Sequence, residues 1–400
     1  MYASRSPKQP GRSYADYPDY GAWTRLGETC DLLILMGLHQ EKKMSASTSF
    51  FVCQLRIRMF EELYGHDKAM ATFLGRPPRL SHRYCVLQLP LDLTDEEMML
   101  EGPELQTAIQ KLENGWNTSK QFHRVTWRRV WARHARVRED ILEIALGVED
   151  TNVNDRASQI VMDMQRYHDE MPAFMKIDPM EILDSISPSG QMQAPPGWDA
   201  DRLPLRILWL LCMHCALRHT DFLLQRALVN RGKADPKVLI PPARQLLSLL
   251  LQTVAKQNFF RDFQIDLVCL LAFHGLPSAG VLAIELLKQE QSRQYTPDIL
   301  PRSETIQDLS VFISALAAVG PGEGNHAICK QGRKALKRLL DKILSPDPMP
   351  LKQPNAGTLE PLDFGQDISS LYFPTGNDAE FLQWLQDVEW DRSSWLNPVS

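Results

Sequence analysis

Residues 49–78 read SFFVCQLRIRMFEELYGHDKAMATFLGRPP, and this stretch decides the fold class. Apolar side chains recur at helical spacing. Leu55, Met59, Leu63 or Tyr64, Met70 or Ala71, and Leu74 are predicted on one side. The run stops at Gly75-Arg76-Pro77-Pro78. Glycine accepts the left-handed φ that closes a helix, and proline has no N–H with which to continue the ladder. The expectation is one long helix over 49–74 with a built-in stop.

The same period extends in both directions. Upstream, 21–39 (GAWTRLGETCDLLILMGLH) places Trp23, Leu26, Cys30, Leu33 and Ile34 near one face, with Gly37 where a helix would end. Downstream, helical runs are predicted at about 103–147, then at 153–171, 203–230, 241–258, 277–293, 304–319 and 325–344. Strand–turn–helix alternation is missing, which excludes a parallel α/β sheet. No repeat of fixed period appears, which excludes a regular solenoid. The expected fold is all-α, a large irregular helical bundle. Proline-bearing breaks fall at 75–78, 186–204, 231–242 and 346–376. They divide the chain into a disordered N-terminal segment (1–20), a helical domain (21–345, interrupted near 186–204), and a linker with a terminal tail (346–400).

Composition narrows the function classes. A chain of 400 residues with 44% hydrophobic and 23% charged residues is globular, not collagenous or wholly disordered. The net charge of −5 is too mild for a whole-chain polyanion binder. Seven cysteines, mostly isolated, fit a reducing compartment better than a disulfide scaffold. The N-terminus, MYASRSPKQPGRSYADYPDY, has no apolar core of a secretory signal. The most apolar stretches are Asp31–Leu38, Leu203–Leu224 and Ile265–Leu276. None is read as supplying the 18 uncharged residues of a membrane span, so no membrane partner is expected.

Several patterns resemble chemistry and read better as packing. Cys212 and Cys215 form a CxxC beside His214 and His219, but a second pair of zinc ligands at suitable spacing is missing. The motif lies in an apolar helical run, where small polarizable cysteines pack as core. Gly320-Pro321-Gly322-Glu323-Gly324 follows a predicted helix rather than a strand, and no Lys-Ser or Lys-Thr follows it, so an interhelical loop is expected. His66-Asp67 stands alone, without an HExxH, an aspartate-rich metal motif or a GxSxG elbow in the chain. No catalytic, cofactor or metal residue is assigned, and the chain is read as a non-enzyme.

Two segments carry stronger patterns. Lys120–Arg138 (KQFHRVTWRRVWARHARVR) has seven basic residues and no acid, with Trp127, Trp131 and His134 on one helical stripe. Arg124, Arg128, Arg129, Arg133 and Arg136 are weak candidates for nucleic-acid contact. The competing reading is a solvated basic face on a helix whose tryptophans point inward, with Glu139, Asp140 and Glu143 diluting the charge. The C-terminus differs in sign: Pro354–Ser400 carries eight acids and one base. Phe381, Leu382, Trp384, Leu385, Trp390 and Trp395 are interleaved among these acids. Acidic-hydrophobic alternation keeps a segment soluble while its aromatics dock into a coactivator groove. A terminal helix packed on the domain is the alternative.

Residues 21–90 also resemble a known family. A helix ending at Gly37, Leu38 and His39 is followed by a second helix bearing Arg56, Arg58, Tyr64, Asp67 and Lys68. Then come Gly75, Arg76 and Pro77, and after an extended stretch Leu89 and Pro90. In this order and spacing the residues resemble the middle homology region of fungal-specific transcription factors, the regulators that usually carry an N-terminal six-cysteine zinc cluster. The family's usual tryptophan in the second helix is Glu61 here, and the arginine after the aspartate is Lys68. The resemblance implies an all-helical regulatory domain in a nuclear regulator of RNA polymerase II transcription. It implies coactivator partners and a homo- or heterodimer. It implies zinc and DNA binding only in complete members, because the cysteines here form no six-cysteine cluster. A chain that begins inside the domain, shortened at its N-terminus, is the matching expectation. Asp67, Gly75, Arg76 and Pro77 carry over as structural residues. A DNA-free protein that dimerises with full-length relatives is the alternative.

Overall fold

The computed structural model describes residues 20–40, 48–148, 151–195, 198 and 202–345. The expected tail residues Phe381, Leu382, Trp384, Leu385, Trp390 and Trp395 lie outside the described residues, as do most of segment 1–20 and all of 346–400.

The described chain is all-α. Its helices are α1 (Tyr20–Leu35), α2 (Phe50–Leu74), α3 (Asp95–Met98), α4 (Gly102–Gln110), α5 (Arg124–Leu146), α6 (Val153–Glu170) and α7 (Pro179–Ser185). They continue as α8 (Leu203–Asn230), α9 (Ile240–Ala255), α10 (Gln264–Leu270), α11 (Leu276–Ser292), α12 (Arg302–Ala317) and α13 (His326–Leu344). Two antiparallel-bridged residues, Glu113 and Trp116, close a turn; no named strand occurs among the described residues.

α5 is the hub, because it packs against α2, α6 and α8. α8 passes the core on to α9, and α9, α11, α12 and α13 pack on one another. The largest apolar cluster lies in that second half, with Phe222, Leu246, Leu286, Phe312 and Cys329 at its centre. A second cluster joins Trp116 and Phe122 to α8, and includes Ile186 and Trp198 from the proline-bearing break at 186–204. That break is therefore anchored into the domain at both ends.

Three differences from the sequence reading have physical causes. First, the predicted run 103–147 is two helices. Turn residues Asn114 and Gly115 take positive φ (52° and 81°), as does Lys120 (60°). The loop is then tied to the start of α5: buried Asp92 accepts from Thr126 Oγ1 (2.8 Å) and from the Asn117 N–H (3.2 Å).

Second, α2 buries the predicted Tyr64, Met70, Ala71 and Leu74, but its first half turns a different side inward. Leu55 and Met59 are exposed, and Cys53, Ile57, Phe60 and Tyr64 face inward. The first half of α2 is apolar on more than one side, so periodicity alone cannot choose. Ile34 of α1 is likewise exposed, while Leu26, Cys30 and Leu33 are buried.

Third, longer uncharged helix exists than the sequence reading allowed. Leu267–Ile284 contains no Asp, Glu, Lys or Arg, because the chain stays helical through Pro277. By length and composition, Leu203–Asn230, Pro236–Ala255 and Arg261–Ser292 are each long and apolar enough to cross a membrane. In this fold their apolar faces are used against one another, since a helix apolar all round belongs in a core or in lipid.

Candidate functional site

The stop at Gly75 forms as its residue types require. Gly75 has φ 61°, ψ 32°, and the Arg76 N–H reaches back to the Ala71 carbonyl at 3.1 Å. Pro77 and Pro78 then carry the chain away from the helix axis. The returning segment is captured by Asp67, one and two turns back along α2. Its carboxylate accepts from the Arg79 N–H (3.0 Å) and the Leu80 N–H (2.9 Å), while the Lys68 ammonium donates to the Leu80 carbonyl. Asp67, Gly75, Arg76 and Pro77 thus form one interlocked turn.

That turn belongs to a larger buried cluster. Asp67 and Lys68 are both fully buried, with Lys68 Nζ 2.7 Å from Asp67 Oδ2 and 3.4 Å from Glu139 Oε2. Lys68 also lies 3.9 Å from the centroid of the Tyr64 ring. The Tyr64 hydroxyl donates to Glu139, and the His82 N–H donates to Glu139 Oε1 at 3.1 Å. Burial opposes ionisation of Glu139, but Lys68 and these donors outweigh it and hold the carboxyl below its ordinary value. Burial, then the Glu139 charge, pushes the Tyr64 hydroxyl up, so it remains a donor. The cluster pins α2, the 79–82 segment and α5 together, and its groups are spent on one another.

His82, Glu139 and Glu143 approach closely enough to resemble a metal site. Their carboxylates already face cations: Glu139 faces Lys68, and Glu143 faces Arg83 (3.0 Å) and Arg156 (2.8 Å). The chemistry of that donor set is ion pairing.

One buried carboxyl lies apart. Glu61, at the position where the resembled family has tryptophan, is 2% exposed. Burial pushes it up to about 8, with the Gln88 backbone N–H holding it down only in part.

The basic helix α5 does not present one basic face. Arg129 is buried and donates to the Pro90 carbonyl (2.7 Å) and the Asn114 carbonyl (2.8 Å), with its guanidinium 4.7 Å from the Trp116 ring centroid. It is a loop anchor, which corrects its place among nucleic-acid candidates. Arg128 pairs with Glu62 (3.3 Å), Arg136 with Asp140 (3.6 Å), and Arg133 lies over Tyr167. Arg124 alone of the five is exposed. Trp127 and Trp131 lie 5.7 Å apart with their rings tilted, Trp127 packs against the second apolar cluster, and His134 is buried against Thr220.

Cys212 and Cys215 sit on α8 at the second apolar cluster. Burial pushes the Cys215 thiol up to about 12 and raises Cys212 well above its ordinary value, so both persist as thiols. The Gly320–Gly324 segment is an interhelical loop closed by Glu323, whose carboxylate accepts from the Gly320 N–H at 3.1 Å.

No protein-family model, curated protein or solved structure matches the chain.

Proposed function

We propose that the chain is the helical regulatory part of a fungal-type transcription regulator, acting in the nucleus on RNA polymerase II transcription. The observation that carries this reading is the interlocked turn. Among the residues that bear the family resemblance, Gly75, Arg76 and Pro77 end α2, and Asp67 and Lys68 hold the backbone of Arg79 and Leu80 that returns from that stop. The buried cluster around them has its groups turned on each other, which supports a scaffold rather than an active site.

In this reading the helices form an irregular regulatory bundle and the acidic-aromatic tail (346–400) recruits coactivator. DNA and zinc enter through a module outside these residues or through a partner chain. Tethering the full chain to an unrelated DNA-binding domain tests it. The expected result is reporter activation that falls to background when Trp384, Trp390 and Trp395 are changed together to Ala. A tethered chain that leaves the reporter unchanged with or without the substitutions overturns it.

A second reading, a DNA-free protein that dimerises with relatives, is favoured by one specific feature. Phe51, Leu55 and Met59 form an exposed i, i+4, i+8 stripe on α2, and Leu32, Leu35 and Met36 are exposed at the end of α1. Exposed apolar stripes of this kind mark interaction surfaces.

A further inference from the structure

α5 spends most of its arginines on partners within the fold, whereas α13 keeps its cations outward. Lys330, Arg333, Lys334, Lys337 and Arg338 are all exposed. They recur at i, i+3, i+4, i+7 and i+8, so they share one face of the helix. Among the described residues, none of these five side chains takes part in an ion pair or a hydrogen bond.

The neighbouring elements supply no counter-charge. The one acid of α13 is Asp341, beyond the end of this stripe. The stretch of α12 that leads toward α13, 310–318, carries no charged residue. Glu323 of the loop between them closes on the Gly320 N–H. Farther along, Glu304 of α12 pairs with Arg244, and Glu290 of α11 pairs with Arg302.

The opposite face holds the stripe outward. Ile328, Cys329, Leu336, Leu339 and Ile343 are buried. Gly332 brings α13 against α11 so closely that a Cβ there would stand 2.3 Å from Leu276. A helix packed this tightly cannot roll to hide its cations. Like charges at i, i+4 repel along a helix, and an external polyanion relieves that repulsion.

Charge density selects the polyanion. Lys330 to Arg338 spans about 12 Å of helix axis. Duplex DNA carries one negative charge per about 1.7 Å of its axis, or about seven over the same length. Five cations therefore meet a matching density of phosphates. α13 has no Phe, Tyr or Trp on which an unpaired base could stack, which disfavours single strands. A helix that lies in a lipid surface sinks its apolar face there, and that of α13 is already spent on the domain core.

We propose that the exposed face of α13 docks on the phosphate backbone of duplex DNA without regard to base sequence. Phosphate contacts of this kind fix position and do not read bases. The proposal does not rest on the transcription reading. Joined to it, α13 adds a sequence-independent grip to the module that reads the site.

Fluorescence anisotropy of short labelled duplexes, titrated with the full chain over a range of salt, tests the proposal. Two duplexes of unrelated sequence are expected to bind alike, with a Kd of about 1–100 μM. The slope of log K against log salt should be about −4 to −5, since each phosphate contact contributes about −0.9. Lys330→Gln, Lys334→Gln and Lys337→Gln together should flatten that slope by about 3 and leave thermal unfolding unchanged. Arg333→Gln with Arg338→Gln is the second variant and should flatten it by about 2. Arg124→Gln, at the exposed start of α5, should leave it unchanged. No binding by wild type, or a wild-type slope in both α13 variants, overturns the proposal. Tighter binding to phosphatidylserine vesicles or to duplex RNA than to DNA at the same salt also overturns it. A tethered reporter that stays silent while the duplex binds would sink the transcription reading alone.

Discussion

Glu139 and Arg138 are neighbours on α5, yet they serve buried clusters of opposite construction. Around Glu139, the Tyr64 hydroxyl, the His82 N–H, the Lys68 ammonium and Asp67 exchange bonds and charge until little is left to offer. Near Arg138, the His219 ring is buried and neither of its nitrogens has a hydrogen-bond partner. Both clusters are polar and both are buried. What separates them is satisfaction. A closed network stabilises one arrangement of helices, because breaking any partner strands the others. A buried nitrogen left unsatisfied costs the fold stability.

The largest expected effect is on the closed side. Asp67→Asn keeps the shape but removes the charge facing Lys68 and one of the acceptors that hold the 79–80 backbone. Breaking one partner of a buried pair should cost about 3–5 kcal/mol in urea unfolding. A loss below about 1 kcal/mol would show that the turn does not depend on this network.

Glu61 sharpens the comparison from a third position, a buried carboxyl with weak compensation. Its folded value is raised from 4.5 to about 8, so the folded state binds the proton more tightly than the unfolded chain. Stability should therefore be full below about pH 4.5 and decline toward pH 8, with a slope of about 1 kcal/mol per pH unit. Glu61→Gln should remove that slope. Parallel pH profiles for the two proteins would contradict the assignment. This position is where the resembled family carries tryptophan, and the raised value follows directly from putting a carboxyl in an apolar slot.

Much of the architecture was legible in the residues. The all-α class followed from helical spacing and from the lack of strand patterns. The Gly75 stop followed from a mechanism, since only a residue tolerant of left-handed φ closes a helix so tightly before two prolines. Other features depended on distant partners. Residues 103–147 looked continuous because apolar spacing ran through them, but Asn114-Gly115 and Asp92 break and pin that run. Arg129 looked like part of a basic patch; its role comes from the Pro90 and Asn114 carbonyls, which lie elsewhere in the chain. Only the first half of α2 hid its buried side, because it is apolar on several faces.

The contact between His219 and His274 was the least legible feature. His219 was visible only as a histidine beside two core cysteines, and His274 as one polar residue in an apolar run. Nothing in their spacing announces that the rings meet at 4.5 Å. The sole local signal is a histidine in an otherwise uncharged stretch that must stay helical through Pro277.

The contrast between satisfied and unsatisfied clusters is tested most directly by the unfolding free energy of His219→Phe, measured beside wild type in urea. Phenylalanine keeps the ring and removes both unsatisfied nitrogens. If the His219 nitrogens are unsatisfied in the fold, the variant is as stable as wild type or more stable, by up to about 1–2 kcal/mol. A loss of about 2 kcal/mol or more would show that His219 is already satisfied within the fold, and that the two clusters are of one kind.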